Sequence, residues 1–438
     1  MNLATRANAS KYQGYAYAYP HKSAYRALPR QELAAVWADE PLQQLFLYVH
    51  VPFCEMRCGF CNLFTLAGPQ GDRVTAFLDA LERQIAAVRP ALGSTARFTR
   101  LALGGGTPSY LTAPQLERLF TLLDPFQLDY GKLPISFECS PGTITAEKVA
   151  VLQRYGVTRA SIGVQSFAVE ETRRLGRPQD PSELHRALGL LREAAFETLN
   201  LDLIYGIEGQ TAETWRHSLA AALAYQPEEL YLYPLYVRPR TGLDGRHDLI
   251  VSDHAFALYR QAVEHLTAAG YRRESMRLFR KGEVANEDGP LYCCQEDGMI
   301  GLGPGARSYT RNLHYCSEYA VSRPGVKAIL QDYLMREQAD FGWTDYGFQL
   351  NADERLRRYV IQSLGQRRGL DLSACRAWLG LDPLVTLPLL QEALALGWLA
   401  RQGELLLPTE SGLDHADVLA PALYSETVQE RMGAFVVA

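Results

Sequence analysis

The sequence predicts an α/β protein whose largest part is built on a parallel sheet. Between about residues 44 and 270, six short apolar runs alternate with segments of helical period, and polar or glycine-rich residues follow most of the runs. Strands that are covered on both faces read as near-continuous apolar runs, and parallel strands need a crossover that returns the chain in the same direction. Such a sheet can stay open or close into part of a barrel, and periodicity alone does not choose between the two.

The six predicted strands are LFLYVHV (45–51), RLALGGG (100–106), ISFECS (135–140), RASIGVQ (159–165), LNLDLIYGI (199–207) and LYLYPLYV (230–237). After the first strand, apolar residues recur at helical spacing from Val74 to Val88, which predicts a helix with one buried face. Thr145 starts another predicted helix, which we expect to end near Gly156. Because ligand-binding groups gather at the carboxyl ends of parallel strands, the loops after the strands are the expected site.

The sequence from about residue 350 onward has a different pattern. ADERLRRYVIQSL and PLVTLPLLQEALALGWL are typical of helices, and LARQGELLLP is typical of a hairpin that turns at Gln402–Gly403. Helices followed by a hairpin favour a small α+β module of the winged-helix type. The candidate recognition helix from Asp382 to Leu396 has no basic residue, so we expect this module to pack rather than to bind DNA.

Length and composition limit the class of protein. A chain of 438 residues is long for one domain, so we expect a Tyr-rich N-terminal extension (1–43), a catalytic domain with a linker region (44–345) and a C-terminal domain (346–438). A net charge of −5 without a basic block argues against nucleic-acid binding. The first residues lack the apolar core of a signal peptide, and no run of about 18 uncharged apolar residues occurs, so we expect no membrane span.

Cysteine usage indicates a reducing compartment and a metal centre. The eight cysteines form no small disulfide framework, which favours the cytoplasm. Cys54, Cys58 and Cys61 follow the first strand as CxxxCxxC. A structural zinc site and an ordinary iron–sulfur cluster both take four ligands, so three cysteines suggest a metal centre with one open position. A zinc site completed by a remote His or Cys is also compatible with this pattern, as are three unrelated buried cysteines.

A glycine-rich loop, GGGTPS (104–109), ends the second predicted strand. Glycines let the backbone approach a ligand closely and present its own N–H and C=O groups, although such loops also serve as simple turns. CxxxCxxC after a first strand, followed by this loop, resembles the radical S-adenosylmethionine superfamily. In that superfamily, the amino and carboxylate groups of S-adenosylmethionine bind the open iron of a 4Fe–4S cluster. An electron from the cluster then cleaves the sulfonium to give methionine and a 5′-deoxyadenosyl radical.

The resemblance narrows to one branch. YVHVPFC, GGGTPSYL, SIGVQSF, LGRPQ, NLDLIYG and GLGPGA recur in this order in the branch typified by oxygen-independent coproporphyrinogen III dehydrogenase, the HemN-like branch. The branch also holds heme chaperone-like proteins and a class of radical methyltransferases and cyclopropanases. The match covers roughly residues 44 to 310 and implies a partial (β/α)6 radical-SAM barrel with a small winged-helix-like domain.

The resemblance also implies a set of site residues. The cluster ligands would be Cys54, Cys58 and Cys61, and the cofactor-binding residues would be Tyr48, Phe60, Gly105, Gly106, Thr107, Glu138, Gln165, Arg177, Asp202 and Pro234, with Arg307 at a further cofactor-contacting position. A carboxylate suits ribose hydroxyls, and arginine suits the methionine carboxylate as a charge-assisted partner. Asp202 could instead cap a loop, and Arg177 could be a solvated surface cation. One S-adenosylmethionine is implied, and the retained residues leave room for a second.

The departures from the branch bear on the reaction. Leu63 stands where the dehydrogenase has a further cysteine, Arg307 replaces an apolar residue, and the heme-binding His-Asn…Tyr-Trp motif is absent. We therefore expect an enzyme that abstracts hydrogen from an unidentified small organic substrate, with no catalytic residue assigned. The branch also leaves open coproporphyrinogen III oxidation by decarboxylation, class C methyl transfer and heme chaperone-like binding. We expect a monomer that takes electrons from an external donor of the flavodoxin or ferredoxin type.

Two further stretches distinguish this chain within the branch. In YCCQED (292–297), Cys293 or Cys294 could be a hydrogen donor, a redox thiol or an auxiliary ligand, or both could be buried at a strand edge. Glu296, Asp297 and Arg307 could line a polar substrate pocket or lie in a surface loop. In KYQGYAYAYPHKSAYR (11–26), the alternation of Tyr15, Tyr17 and Tyr19 predicts an extended strand with these rings on one side, either over the barrel mouth or packed outside it.

Overall fold

The fold is described from a computed structural model, which describes residues 2–69, 71–245, 253–282 and 296–435. Cys293 and Cys294 of the YCCQED stretch lie outside the described residues. No helix in the described ranges has both the length and the apolar content needed to cross a membrane.

The strands are β1 (Arg26–Glu32), β2 (Leu45–Val51), β3 (Phe53–Cys54), β4 (Leu66–Ala67), β5 (Phe98–Gly105), β6 (Ile135–Cys139), β7 (Arg159–Gln165), β8 (Thr198–Tyr205), β9 (Glu229–Pro234), β10 (Tyr271–Arg273), β11 (Leu278–Lys281), β12 (Met299–Leu302), β13 (Arg307–Tyr309), β14 (Leu313–Cys316), β15 (Trp343–Gln349), β16 (Leu370–Asp371), β17 (Leu399–Gln402) and β18 (Leu405–Pro408). The helices are α1 (Leu3–Ala9), α2 (Leu33–Trp37), α3 (Arg73–Ala91), α4 (Ala113–Leu122), α5 (Ala146–Arg154), α6 (Val169–Arg174), α7 (Pro181–Glu193), α8 (Ala212–Leu223), α9 (Asp253–Ala268), α10 (Arg323–Met335), α11 (Ala352–Leu364), α12 (Leu372–Leu379), α13 (Pro383–Thr386), α14 (Leu389–Ala395), α15 (Glu410–Asp414), α16 (Ala416–Ala422) and α17 (Glu426–Gly433).

The predicted (β/α)6 unit forms the middle of one large sheet. The strand order is β1-β15-β14-β13-β12-β2-β5-β6-β7-β8-β9-β11-β10. The six predicted strands, β2 and β5 to β9, are neighbours and run parallel, with helices in the crossovers between them. β12 extends the parallel part alongside β2, and antiparallel strands follow at both ends. The predicted α/β class with a parallel sheet is confirmed.

Burial explains why these runs become strands and helices. Leu47, Val49, Leu101 and Phe137 are fully buried, as expected for strands with helices on the outer face. α3 buries Phe77, Leu78, Leu81, Ile85 and Val88, which are the positions of the predicted apolar face. Thr145 caps α5 by accepting a hydrogen bond from the N–H of Lys148, and the helix stops before Gly156. The local signals and the tertiary packing agree in this half of the chain.

The C-terminal part has its own hydrophobic cluster, which also takes in the N-terminal segment. Leu356, Leu390 and Leu406 pack together with Leu3 of α1 and with Tyr19, all fully buried. β1 pairs with β15, so residues before 44 also join the large sheet. The predicted boundary between residues 345 and 346 falls inside β15. We propose that the C-terminal unit begins after β15 and that the N-terminal segment ties it to the sheet.

Three local predictions differ from the structure. The segment from Pro383 onward is two helices, α13 and α14, because Pro388 has no N–H for a continuous helix and stands at the N-cap of α14. The hairpin pairs Gln402 with Leu405, so its two-residue turn is Gly403–Glu404, one residue later than predicted. The predicted extended strand over the alternating tyrosines is wrong, because Tyr19 turns away into the C-terminal cluster, where Glu354 accepts a hydrogen bond from its hydroxyl.

Candidate active site

The cysteine loop is held at its base by a short parallel clasp. β3 pairs with β4 through Phe53 opposite Leu66 and Cys54 opposite Ala67. The N–H of Gly68 donates to the carbonyl of Cys54 at 2.9 Å, and the N–H of Cys61 donates to the carbonyl of Cys58 at 3.1 Å. Phe53 is fully buried. The three cysteines therefore lie on a loop whose two ends are fixed to each other by a separate two-stranded sheet.

Gly59, between the second and third cysteines, attaches this loop to the far side of the site. Its N–H donates to the carbonyl of Leu175 at 2.9 Å, and its own carbonyl accepts from the N–H of Leu243 at 2.9 Å. A Cβ at this position would lie 2.7 Å from the Leu175 carbonyl oxygen, which is closer than side-chain carbons approach backbone oxygens. Only glycine allows the cysteine loop to approach the backbone after α6 so closely.

The glycine-rich loop after β5 is tied to the same cysteine loop. The N–H of Gly106 donates to the carbonyl of Val51 at 2.7 Å, and the N–H of Thr107 donates to that of Phe53 at 2.7 Å. Gly105 has a φ of 113°, and a Cβ there would lie 2.6 Å from the imidazole of His50. The carboxyl ends of the neighbouring strands β2 and β5 are thus held together, as predicted for loops that follow adjacent parallel strands.

These loops surround a pocket of about 270 Å³, named here the cysteine pocket. Its wall includes Cys54, Cys58, Phe60, Cys61, Leu63, Gly106, Thr107, Glu138, Gln165, Arg177 and Asp202. The cluster ligands and most of the cofactor residues implied by the resemblance therefore meet in one place. Gly105 lies next to this wall, where its N–H donates to Oε2 of Glu138 at 3.1 Å.

The donor set of the cysteine pocket fits an iron–sulfur cluster. Burial raises the pKa of all three thiols, that of Cys61 to about 11. The hydroxyl of Thr65 donates to Sγ of Cys54 at 3.0 Å, which favours the thiolate. Iron binding would displace the thiol protons, and three thiolates leave one iron of a cluster without a protein ligand. Within the described residues, no group of three or more His, Cys, Asp or Glu is arranged to hold a single metal ion.

Two carboxylates share the opposite wall of the cysteine pocket. Burial raises the pKa of Glu138 to about 7. More than a third of this residue is exposed, but the exposed surface faces the pocket rather than the outside of the protein. Burial also raises the pKa of Asp202 to about 6, against the effect of Asn200, whose amide donates to Oδ1 at 2.8 Å. Repulsion from the carboxylate of Asp202 raises the pKa of Glu138 further. A cationic ligand in the pocket would relieve both effects.

Gln165 and Arg177 complete this wall at the end of β7. Gln165 has a φ of 68° and is 7% exposed, and the register of β7 with β8 shifts at this residue. A left-handed conformation is uncommon for a residue other than glycine and often marks a functional site. Nη2 of Arg177 donates to the carbonyl of Gly163 at 2.7 Å. Arg177 also lines the pocket, where its guanidinium is a suitable partner for a carboxylate.

A second cavity of about 440 Å³, named here the tyrosine cavity, adjoins the first. Leu63 lies on the walls of both. Tyr15 and Tyr17 of the N-terminal segment line the tyrosine cavity, as do Tyr48 and Arg307. Tyr48 and Arg307 are therefore placed beside the cysteine pocket rather than in its wall, and their roles stay predictions.

The remaining predicted residues lie elsewhere. Pro234 ends β9 and is not among the described residues that line either cavity. Glu296 and Asp297 are also not among the described residues that line either cavity. Glu296 accepts a hydrogen bond from the hydroxyl of Tyr359 at 3.0 Å. Sequence reasoning missed Gly59, Thr65 and Lys22 as residues of the two sites. The glycine inside CGFC was a usable signal, and Lys22 lies in the Tyr-rich stretch that could cover the barrel mouth, whereas nothing local to Thr65 points to a site.

Replacing Gly59 by Ala should loosen the cysteine loop. The added Cβ would force the loop away from the Leu175 carbonyl, and overpacking of this kind costs about 1–3 kcal/mol of unfolding free energy. The measurement is urea unfolding of the cluster-free protein, together with the iron content after reconstitution. Gly189→Ala in α7 is the control, since nothing lies within 4 Å of its added Cβ. Equal stability of the two variants would show that Gly59 does not constrain the loop.

Comparison with known proteins gives the family. The model of the radical SAM superfamily matches residues 48–222. The heme chaperone HemW of Escherichia coli strain K12 is 30% identical, over 85% of this chain and 96% of its own length. The oxygen-independent coproporphyrinogen III oxidase of the same strain is 32% identical, over 75% of this chain and 73% of its own length.

A solved structure also supports membership of this family. The structure of coproporphyrinogen III oxidase (HemN) from Escherichia coli, described as a radical SAM enzyme, has a TM-score of 0.81 and 25% identity, and the match covers 94% of this chain and 97% of that one. Radical SAM proteins use a 4Fe–4S cluster and S-adenosylmethionine, which are therefore the cofactors of this chain. The chain belongs to the HemN-like family of radical SAM proteins.

Proposed function

We propose that this protein is an enzyme that removes a hydrogen atom from a small organic substrate held in the tyrosine cavity. The observation that supports this most strongly is the shared wall at Leu63, because a molecule bound in the tyrosine cavity would lie next to the cysteine pocket. With both cofactors bound and an electron from an external flavodoxin or ferredoxin, the cysteine pocket supplies a 5′-deoxyadenosyl radical. An enzyme of this kind needs its substrate within reach of that pocket and out of water.

The residues of the cysteine pocket divide the binding of the cofactors. Cys54, Cys58 and Cys61 hold the cluster as thiolates. Gly105, Gly106 and Thr107 offer backbone carbonyls to the methionine part of S-adenosylmethionine, because their N–H groups already donate within the protein. Arg177 offers its guanidinium to the carboxylate. Phe60 packs beside the cofactor. Glu138, Asp202 and Gln165 hold its ammonium and ribose groups.

Tyr48 and His50 form a fixed polar pair on the wall of the tyrosine cavity. Nε2 of His50 lies 2.8 Å from the carbonyl of Phe64, which only accepts, so Nε2 carries the proton. Nδ1 then accepts from the hydroxyl of Tyr48 at 3.3 Å. Burial lowers the pKa of His50 to about 4, so the ring stays neutral near pH 7. We assign this pair to orienting the substrate beside the glycine-rich loop.

Two relatives suggest different functions for the same fold. Similarity to coproporphyrinogen III oxidase along nearly the whole chain supports oxidative decarboxylation, and the match to a heme chaperone supports tetrapyrrole binding without turnover. The sequence identities to the heme chaperone and to the oxidase, 30% and 32%, are nearly equal and favour neither function. Leu63 and Arg307, which depart from the oxidase pattern, both line the tyrosine cavity, and this favours a different substrate.

Offering coproporphyrinogen III to the enzyme tests the substrate directly. The reduced, cluster-loaded protein with S-adenosylmethionine should release 5′-deoxyadenosine but form no protoporphyrinogen, because Leu63 and Arg307 alter the wall that a substrate contacts. Protoporphyrin fluorescence after oxidation and chromatography of the nucleosides measure the two products. Robust protoporphyrin would overturn the proposal in favour of the oxidase.

The same incubation distinguishes methyl transfer and heme binding from hydrogen abstraction. A methyltransferase would also form S-adenosylhomocysteine or methylthioadenosine, and we expect neither from the proposed reaction. A heme chaperone would shift the Soret band of added hemin at stoichiometric concentration. We expect no shift, and a stoichiometric shift without 5′-deoxyadenosine would favour the binding protein.

A further inference from the structure

The wall of the tyrosine cavity carries more positive than negative charge. The cations on this wall are Lys22, Arg277 and Arg307, and the carboxylate is Asp417. The chain as a whole has a net charge of −5. This excess of positive charge is therefore local, and each cation needs a physical explanation.

Arg277 is explained by its partner inside the protein. Its Nη2 forms an ion pair with Oδ2 of Asp417 at 2.5 Å, and both side chains are almost fully buried. The hydroxyl of Tyr236 donates to the same carboxylate. Arg277 and Asp417 thus form a closed pair that links the start of β11 to the C-terminal unit and leaves no charge for a ligand.

Lys22 and Arg307 have no carboxylate partner among the described residues. Lys22 is 8% exposed, and its Nζ lies 3.9 Å from the ring centre of Tyr319. The guanidinium of Arg307 lies 4.9 Å from the ring centre of Tyr17, and its Nη1 is buried without a hydrogen-bond partner in the part of the chain that the structure describes. Cation–π contacts offset only part of the cost of removing such a charge from water.

The two cations act on the same surroundings. Burial alone would raise the pKa of Tyr17, but Lys22 and then Arg307 lower it below its usual value. Tyr17 is 39% exposed, and this open surface faces the cavity. Burial and the same two cations lower the pKa of His21 to about 3. The part of the cavity around Tyr17 is therefore a positive region lined by aromatic rings, and no carboxylate of the described residues neutralises it.

We propose that the tyrosine cavity binds the carboxylate or phosphate group of an anionic substrate between Lys22 and Arg307, with the carbon part of that substrate against Tyr17 and toward Leu63. An anion there would supply the missing partner of both cations and of the buried Nη1. That this anion is the substrate rests on the proposed function. The Tyr-rich N-terminal segment and Arg307 then act together as the specificity site.

Binding of two simple probes to the cluster-loaded full-length protein tests this site. Isothermal titration with 3-phenylpropionate and with phenyl phosphate should detect binding of at least one, and the tighter one identifies the preferred anion. Arg307→Met and Lys22→Met should each weaken that binding about tenfold or more, because each removes one charge-assisted partner. Lys132→Met, which removes a charge from a side chain that is 86% exposed, should leave it unchanged.

A stability measurement separates a ligand site from a structural role. Without ligand, Arg307→Met should keep or raise the melting temperature, since it removes a buried charge without a counterion. A lower melting temperature with unchanged probe affinity would overturn the proposal. So would equilibrium dialysis that finds two S-adenosylmethionine molecules per wild-type chain and one in Arg307→Met, because the anion would then be the carboxylate of a second cofactor.

Failure of this proposal can be told from failure of the proposed function. Release of 5′-deoxyadenosine by the reduced wild-type protein tests the radical chemistry and does not depend on the probes. Probe binding that is lost in both cavity variants supports the anion site even if no 5′-deoxyadenosine forms. Release of 5′-deoxyadenosine with no probe bound, by contrast, overturns the anion site and leaves the proposed function standing.

Discussion

A variant with Cys54, Cys58 and Cys61 all replaced by Ala should bind no 4Fe–4S cluster and release no 5′-deoxyadenosine. The three thiols are the sulfur donors that the cysteine pocket brings together on one loop. Burial raises the pKa of each thiol, so the three cysteines stay protonated near neutral pH when no cluster is bound. Binding of the metal centre displaces these protons. Iron and sulfide analysis after anaerobic reconstitution, with the brown charge-transfer absorption, measures the loss.

Other cysteines of the chain provide the controls. Cys139 lies on the wall of the same pocket but at the end of β6, outside the cysteine loop, and it is 7% exposed whereas the three ligands are only half-buried. Cys139→Ala should therefore keep the cluster, as should replacement of Cys293 and Cys294 together. A full cluster in the triple variant would show that the ligands have been assigned wrongly. Loss of the cluster in Cys139→Ala would point to a fourth thiol ligand.

The strands of the large sheet were predictable because burial on both faces leaves a local signal. The bounds of β2 and β7 coincide with LFLYVHV and RASIGVQ, and the bounds of the four remaining parallel strands lie within three residues of their apolar runs. β12 to β15 gave no such signal. These strands are short or exposed on one face, and they are held by pairing with β2 and β1 across long stretches of sequence.

The same distinction between local and distant signals applies to the site. The strand pattern predicted that the site lies where the parallel strands end, because the ends of such strands meet at one edge. The family resemblance then implied Thr107, Glu138, Gln165 and Asp202, each of which lies in or just after a predicted strand. The tyrosine cavity could not be predicted, since it joins Tyr17 to Arg307 and to residues of the C-terminal unit. Contacts between such distant segments depend on how the C-terminal unit packs, and no periodic pattern records that.

Removing Glu138 and Asp202, two of the four carboxylates that line the cysteine pocket, should have the second large effect, on S-adenosylmethionine affinity. Each of Glu138 and Asp202 can offer one charge-assisted hydrogen bond, worth about 1.5–3 kcal/mol. Glu138→Gln with Asp202→Asn should therefore weaken binding by about a hundredfold to ten-thousandfold, with the cluster retained. Equilibrium dialysis on cluster-loaded protein measures this. Glu170→Gln, at a side chain that is 72% exposed, is the matched control.

The pH dependence distinguishes a loss of charge from a loss of shape. S-adenosylmethionine is a cation at its sulfonium and ammonium groups, so it binds best when both carboxylates are ionised. With pKa values raised to about 7 and about 6, wild-type affinity should fall as pH decreases from about 8 to about 5.5. The double variant should show a clearly shallower profile, and the remaining slope should come from Glu55 on the same wall, whose pKa is also raised by burial. An equally steep profile in the double variant would assign the titration to other groups.

Glu138 and Asp202 also determine how the stability of the folded protein changes with pH. Because folding raises both pKa values, the cofactor-free folded protein holds more protons than the unfolded chain between about pH 4 and 7. These groups therefore make the folded state less stable as pH rises through that window. The double variant should lose this decline and gain stability at about pH 8 relative to wild type, while it loses affinity for S-adenosylmethionine. A variant that loses both stability and affinity at that pH would show that the two carboxylates support the fold rather than the cofactor.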